Sequence, residues 1–386
     1  MTADAASGAR VHVVRFAPAK LNLTLAVVGR REDGYHALHS VMVPLALGDA
    51  LTVSETPSGA TRDSLRVTGL GLSPSPDNLV LRAIAATRAA VAATSRDSTA
   101  GPHPLPPPGP PLPPLAARLA KRVPVAAGLG GGSSDAAAAI DAALAAWSAT
   151  LDPEATAALA ASLGSDVPFF LARGAALVTG RGEFVEPLPD IGAEPPAVLL
   201  VTPQLALATP GVFKAYAGGE RQPDATRATK VSERLAAEMR AGLTGVSLLA
   251  QAADLASGND LMQAAMSIAP GLKGFVTALE ALVGRPVCQS GSGPALWALY
   301  PTLAEARKAV RLVRLAAADG TLPVIGAGEP FIVATTIAGR QSPPTVQPVH
   351  DAAGTIRPRT VHNGSAGRPF SGEPPAELDN SKGGDH

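Results

Sequence analysis

Apolar and polar residues alternate over residues 11–17 and again over 21–28, on either side of Pro18-Ala19-Lys20. A period of two puts successive side chains on opposite faces of a pleated chain, so both segments are predicted strands. Residues 41–47 and 51–55 are predicted as further strands, with Gly48-Asp49 as the break between them. The pattern lengthens at Asn78. Leu79, Ile84 and Val91 mark the apolar face of a helix that runs to about residue 93. An alanine-rich run after Ser133-Ser134 predicts a helix to about Trp147, with the serines as its caps, and residues 153–163 predict another. Short strands follow at 175–179 and 184–187. A composition break at Ile191-Gly-Ala-Glu-Pro-Pro marks an expected domain boundary. Beyond it the pattern predicts strands at 197–202, 287–290, 295–300 and 331–338, and helices at 271–282 and 303–317. Helices set between strands predict an α+β sandwich for this half.

Two stretches fit no regular element. Nine prolines fall between Pro102 and Pro114, which excludes helix and inner strand. Residues 97–114 are therefore expected to be an extended surface insertion, a spacer rather than a proline-motif ligand. Residues 341–386 are rich in Pro, Gly, Ser and charge, and are expected to be a disordered tail. The expected domains are 1–190, carrying the insertion, and 191–340.

Composition narrows the function classes. Lys+Arg and Asp+Glu number 32 each, so no basic field points to nucleic acid. An anionic ligand must then be held by local groups. A single cysteine, Cys288, excludes an internal disulfide framework and a multi-cysteine zinc site. The first residues lack the basic and apolar segments of a secretory signal, and the apolar run at 197–208 is too short to span a bilayer. A cytoplasmic protein with no membrane or nucleic-acid partner is expected. Only seven of the 32 basic residues are lysine, which draws attention to Lys20.

The strongest local signal is Pro124-Val125-Ala126-Ala127-Gly128-Leu129-Gly130-Gly131-Gly132-Ser133-Ser134. A glycine-rich loop feeding a helix N-terminus is a phosphate site in waiting. No Lys-Ser/Thr follows the last glycine, so it is not the common P-loop. Lys20 is either a solvated edge residue or a charge aimed into a site, where it would offset charge on a transferring phosphoryl group. Asp166 in Gly-Ser-Asp-Val-Pro-Phe-Phe either caps a short helix or serves as a base toward an alcohol. Asp33-Gly34-Tyr35-His36 is a hairpin turn or a place to stack and hydrogen-bond a base. Ser290-Gly291-Ser292-Gly293-Pro294 is a tight strand connection or a second backbone cradle.

In combination these segments resemble the GHMP kinase superfamily, through the Pro-x-x-x-Gly-Leu-Gly-x-x-Ser-Ser pattern at 124–134 and the late glycine turn. Within it, Pro-Ala-Lys-Leu-Asn-Leu at 18–23, Asp-Gly-Tyr-His at 33–36 and Asp-Val-Pro-Phe-Phe at 166–170 resemble the 4-diphosphocytidyl-2-C-methyl-D-erythritol kinase family. Ala208-Thr209-Pro210 and Asn259-Asp260-Leu261 also fit it. The resemblance implies a two-domain GHMP kinase fold, with an N-terminal ATP-binding domain and a C-terminal α/β sandwich. It implies transfer of the ATP γ-phosphate to the 2-hydroxyl of a methylerythritol unit. Lys20 and Asp166 would then be the catalytic pair, with Asp166 as general base. Residues 124–134 would wrap the ATP phosphates, bridged by Mg2+, whose protein ligands the resemblance leaves unknown. Asn22, Tyr35, His36 and Thr209 would line the substrate pocket. The implied partner is a small molecule, and the implied assembly a monomer or homodimer. Two readings compete: a homoserine or mevalonate type of kinase, against which Asp-Gly-Tyr-His argues, and a non-catalytic sensor, which would be expected to have lost Lys20, Asp166 or the loop.

Overall fold

The computed structural model describes residues 12–56, 60–70, 77–97, 112–192, 194–219 and 227–340, all within one compact unit. Most of the proline-rich insertion and the whole tail at 341–386 lie outside the described residues.

The first sheet has seven strands: β1 (His12–Asn22), β2 (Ala26–Arg30), β3 (His36–Glu55), β4 (Ser64–Gly69), β5 (Leu115–Lys121), β6 (Ala176–Gly180) and β7 (Phe184–Pro187). Its spine is β3, 20 residues long, which pairs with β1, β2, β5 and β6. The break expected at Gly48-Asp49 does not occur. Asp49 is buried and its carboxylate accepts the backbone N–H groups of Arg122 and Val123, just past β5, so the Gly-Asp pair is held inside the sheet. The expected break at Pro18-Ala19-Lys20 is likewise absent. A bulge between Pro18 and Lys20 shifts the register of one continuous strand, which is how a strand tolerates proline. Before the bulge β1 alternates, with Val13, Arg15 and Ala17 in and Val14 and Phe16 out; after it, Ala19 to Asn22 are all buried.

Four helices pack on one face of this sheet. They are α1 (Leu79–Asp97), α2 (Gly131–Ala146), α3 (Pro153–Leu163) and α4 (Val167–Leu171). The insertion expected to start at residue 97 therefore begins on the last residue of α1. The alanines of α2 let it approach the sheet closely: Ala136, Ala139, Ala142 and Ala143 are fully buried against Val13, Ala17, Leu51 and Val53. Strands β4 and β5 carried no sequence prediction.

The second sheet is antiparallel, in the order β11 (Phe331–Thr336), β8 (Ala197–Thr202), β10 (Leu296–Tyr300), β9 (Cys288–Gln289). Every residue of β8 is buried, because both of its faces are covered. Val198 and Leu200, with Trp297 and Leu299 of β10, join a core that contains Leu21, Val43 and Leu45 of the first sheet. Ala197, Leu199 and Val201 join a second core with α9 (Leu261–Ile268), α10 (Leu272–Val283) and α11 (Leu303–Ala318). Between the sheets the chain crosses residues 188–196, where Leu188 and Ile191 are buried in the shared core. Helices α5 (Thr209–Gly218), α6 (Arg227–Arg240), α7 (Gly245–Ala250) and α8 (Ala252–Ala256), together with α9, fill a stretch for which the pattern gave no elements. Among the described residues no single helix is long and apolar enough to cross a membrane; the bent pair α9 and α10 passes on length and composition, yet Leu261, Leu272 and Phe275 are core residues.

Leu45 is 0 % exposed in the core between the sheets. Leu45→Ala is expected to lower unfolding free energy by about 2–5 kcal/mol in chemical denaturation. A loss of under about 1 kcal/mol would show that the two sheets do not depend on this core.

Candidate active site

The glycine loop runs from the end of β5 into α2, and its last turn differs from the sequence reading. Gly130, in the left-handed region at φ 68°, is the N-cap, and no side chain caps the helix. Ser133 and Ser134 are not caps but first-turn residues; the Ser134 N–H already donates to Gly130 O at 2.9 Å. Gly130 turns the chain by itself, so the helix starts earlier than its serines suggest. The N–H groups of Gly131, Gly132 and Ser133 then stand at the positive end of a 16-residue helix.

A second turn, residues 290–294 between β9 and β10, packs on the first. Ser290 Oγ donates to Gly128 O at 3.0 Å, and Ala295 N–H donates to Ala127 O at 3.0 Å. Gly128 has φ 79°, and a Cβ there would stand 2.3 Å from Ser290 O, so only glycine permits this contact. The end of β1 closes the triangle: Lys20 N–H donates to Leu129 O at 3.0 Å, and Asn22 N–H donates to Ser290 Oγ at 3.2 Å. Asn259 holds the late turn from behind, its Nδ2 donating to Gln289 O and Gly291 O at 2.9 Å. Asp260 in turn accepts from Val27 N–H at 2.9 Å, which gives the Asn259-Asp260-Leu261 segment a structural task.

Lys20 lies where these three segments meet. Its side chain is 4 % exposed, and Nζ donates to Asn22 Oδ1 at 2.5 Å. Asn22 Nδ2 donates to Ser40 Oγ at 2.8 Å, and Ser40 Oγ donates to Thr24 O at 2.6 Å, so the amide's orientation is fixed by a chain of partners. Across from the lysine, Asp166 Oδ2 is 3.6 Å from Nζ. Asp166 stands at the start of α4 but its side chain makes no capping bond; the carboxylate is 32 % exposed and faces the lysine instead. The cap alternative for Asp166 and the edge alternative for Lys20 are both set aside by this geometry. Phe169 and Phe170, edge to face at 5.1 Å, are buried beneath, and the Phe170 ring packs against Gly130.

Helix α5 links this centre to the Asp33-Gly34 hairpin. Thr209 Oγ1 lies 2.9 Å from Ser292 Oγ of the late turn, and one turn later Phe213 stacks on His36 at 5.2 Å. Tyr216 meets the same imidazole edge-on at 6.1 Å. Asp33 and Gly34 do close the β2–β3 hairpin, with Gly34 N–H donating to Arg31 O and Asp33 Oδ1 accepting from Tyr35 N–H. Tyr35 is left 56 % exposed, with the Arg181 guanidinium over its ring. Burial, and secondarily the Arg30 charge, hold the His36 imidazole below its ordinary pKa, so its neutral form, which accepts as well as donates, prevails near neutral pH. The sequence reading missed Phe213 and Tyr216. Their signal was there: aromatics are 3 % of the chain, and two of them sit three apart just after Ala208-Thr209-Pro210.

Two glycine turns, a buried lysine and a partly exposed aspartate at the start of α4 thus meet in one place, and the comparisons give the class of the fold as GHMP kinase. The GHMP kinases N terminal domain model matches residues 78–174. The chain is 38% identical over 297 residues to the 4-diphosphocytidyl-2-C-methyl-D-erythritol kinase of Paramagnetospirillum magneticum, covering 76% of this chain and 90% of that protein. A crystal structure of a 4-(cytidine 5'-diphospho)-2C-methyl-D-erythritol kinase superposes with a TM-score of 0.57 at 30% identity, covering 84% of this chain and 100% of that one. Homoserine kinase from Cytophaga hutchinsonii, at 17% identity and TM-score 0.56 over 88% of this chain and 98% of its own, shares the fold. The chain belongs to the 4-diphosphocytidyl-2-C-methyl-D-erythritol kinase family.

Gly128→Ala is expected to separate the two turns. Backbone strain at a positive φ together with the clash on Ser290 O should destabilise the protein by about 1–3 kcal/mol, read as a lowered midpoint in thermal unfolding. An unchanged midpoint would mean that the Ala127–Gly128 contact with the late turn is dispensable.

Proposed function

We propose that the protein transfers the γ-phosphate of ATP to the 2-hydroxyl of 4-diphosphocytidyl-2-C-methyl-D-erythritol, giving the 2-phosphate and ADP, a step of non-mevalonate isoprenoid precursor synthesis. The observation that carries this reading is the Lys20–Asp166 pair, 3.6 Å apart beside the start of α2. In the proposed step Asp166 takes the proton of the 2-hydroxyl as that oxygen attacks the γ-phosphorus, and the bond to the β,γ-bridging oxygen breaks to release ADP. Lys20 is a fixed positive charge where negative charge spreads over the transferring group; buried and held by Asn22, it needs no reorganisation as that charge develops. The glycine loop and the N–H groups of the first turn of α2 would take the ATP phosphates.

Magnesium fits this setting as an ion brought by the nucleotide. Among the described residues no group of three or more His, Cys, Asp or Glu could hold an ion, which suits a cation held mainly by phosphate oxygens and water. The Ser133 hydroxyl, in the first turn of α2, would be a protein oxygen suited to it, leaving Asp166 free as the base. Bound there, it would neutralise charge between the phosphates.

The aromatic hairpin decides among alcohols. A cytosine ring suits stacking on Tyr35 or Phe213, and neutral His36 can accept from its exocyclic amine. Homoserine and mevalonate carry no ring for such a site, which favours the cytidyl substrate over those acceptors.

The direct test is ADP release with ATP-magnesium and each of the cytidyl substrate, mevalonate, homoserine and galactose. Turnover with the cytidyl substrate alone is expected; turnover with another alcohol in its place would refute the substrate assignment. Asp166→Asn should lower kcat by about 10²–10⁴-fold while ATP binding changes by less than about twofold. Near wild-type kcat would remove the base from Asp166. Lys20→Arg should cost about 10²-fold in kcat, because a planar fork cannot take the place of a compact ammonium against Asn22. A fully active arginine variant would overturn the role given to Lys20.

A further inference from the structure

A second buried lysine lies under the glycine loop, and no step of the reaction above uses it. Lys121 is the last residue of β5, Asp49 belongs to β3, and Asp135 is in the first turns of α2; all three side chains are buried. Lys121 Nζ donates to Asp49 Oδ2 and, at 2.7 Å, to Asp135 Oδ2. The other Asp49 oxygen accepts the N–H groups of Arg122 at 2.5 Å and Val123 at 2.9 Å. These are the two residues through which the chain enters the loop, while Asp135 lies just past its exit into α2. One ammonium therefore binds the entry and the exit together. It also lies against the first residue of α2: a Cβ on Gly131 would be 3.4 Å from Nζ.

We infer that Lys121, Asp49 and Asp135 are positioning residues that clamp both ends of the glycine loop and thereby set its affinity for ATP. The inference rests on the reading of that loop as the ATP-phosphate site. Stability alone does not account for the cluster, because buried ion clusters are often no better than apolar side chains of the same volume. Geometry does. A loop whose glycines leave the backbone free needs its ends fixed if its N–H groups are to meet phosphate oxygens without an ordering cost. Asp49, 0 % exposed, is shut off from solvent and acts through Lys121 and through the backbone it holds.

The charge balance suggests a discriminating variant. Two carboxylates share one ammonium, and Asp135 Oδ1 has no partner. Burial, with Asp49 close by, outweighs the pull of Lys121 and raises the Asp135 carboxyl to about 7. An amide at this position keeps an oxygen for Lys121 and removes the surplus charge, whereas alanine suits the alanine-rich helix but frees the exit end of the loop.

The experiment compares wild type, Asp135→Ala, Asp135→Asn and Asp49→Asn by steady-state kinetics in both substrates, nucleotide binding and thermal unfolding. Asp135→Ala is expected to fold and to raise KM for ATP about tenfold, the worth of one charge-assisted hydrogen bond, while KM for the alcohol moves by less than about twofold. Asp135→Asn should restore KM for ATP to within about threefold of wild type. Asp49→Asn should repeat the ATP-specific loss from the entry side; if it does not fold, the alanine and asparagine pair at 135 decides alone. An Asp135→Ala enzyme with unchanged KM for ATP, or with both KM values raised alike, overturns the inference. Wild-type protein that does not bind ATP would fail the functional reading itself, which separates the two failures.

Discussion

The site depends on a lysine ammonium taken out of water. Burying a charge is expensive unless it is paired and hydrogen-bonded, and the surroundings of Lys20 meet that demand with one neighbour on its own strand and one distant carboxylate. Asn22 accepts from Nζ and is itself held by Ser40; Asp166 supplies the opposite charge. The backbone of Lys20 is tied to Leu129, and that of Asn22 to Ser290. The same bonds that make the lysine tolerable bring together a strand end, a glycine loop, a late glycine turn and the start of α4. Solvating Lys20 and assembling the site are thus one structural event.

The larger architecture follows from the same need. Contact between the two glycine turns requires the second sheet to lie against the first, and the core between them supplies that contact through Leu21, Val43 and Leu45 on one side and Val198, Leu200 and Trp297 on the other. Leu21 alternates with Lys20 and Asn22 on one strand, so its burial fixes which way the two polar residues point. Helix α5 extends the arrangement outward. Thr209 rests on the late turn and Phe213 on His36, so the aromatic hairpin is placed relative to the two glycine turns by a rigid element rather than by a loop.

What the sequence disclosed tracks how local each constraint is. The glycine loop was legible because a tight backbone turn restricts residue types over a few adjacent positions, whereas Lys20 and Asp166 each stayed open between two readings until the fold set them 3.6 Å apart. β8 was legible to the residue because both of its faces are buried and its apolar run is short and bounded. Gly48-Asp49 misled because a Gly-Asp pair ordinarily signals a turn, whereas here distant backbone groups satisfy the aspartate. The start of α2 was misplaced because serines are good caps, yet a left-handed glycine ended the loop first. The Lys121 cluster left no trace, since its partners are 72 and 14 residues away and nothing in either segment names the other. Phe213 and Tyr216 stand out in the sequence as two scarce aromatics three apart, but their partner His36 is far along the chain and only folding brings it to them.

In the proposed reaction the Lys20–Asp166 pair, assembled at the meeting of the two glycine turns, receives the acceptor hydroxyl in line with a phosphate held by the first turn of α2. The decisive experiment is a crystal structure of the protein with a non-hydrolysable ATP analogue and the cytidyl substrate. The 2-hydroxyl oxygen is expected at about 2.6–3.2 Å from an Asp166 carboxylate oxygen, with the γ-phosphate before Gly131, Gly132 and Ser133. A nucleotide bound away from that helix terminus, or a hydroxyl directed away from Asp166, would contradict the proposed reaction.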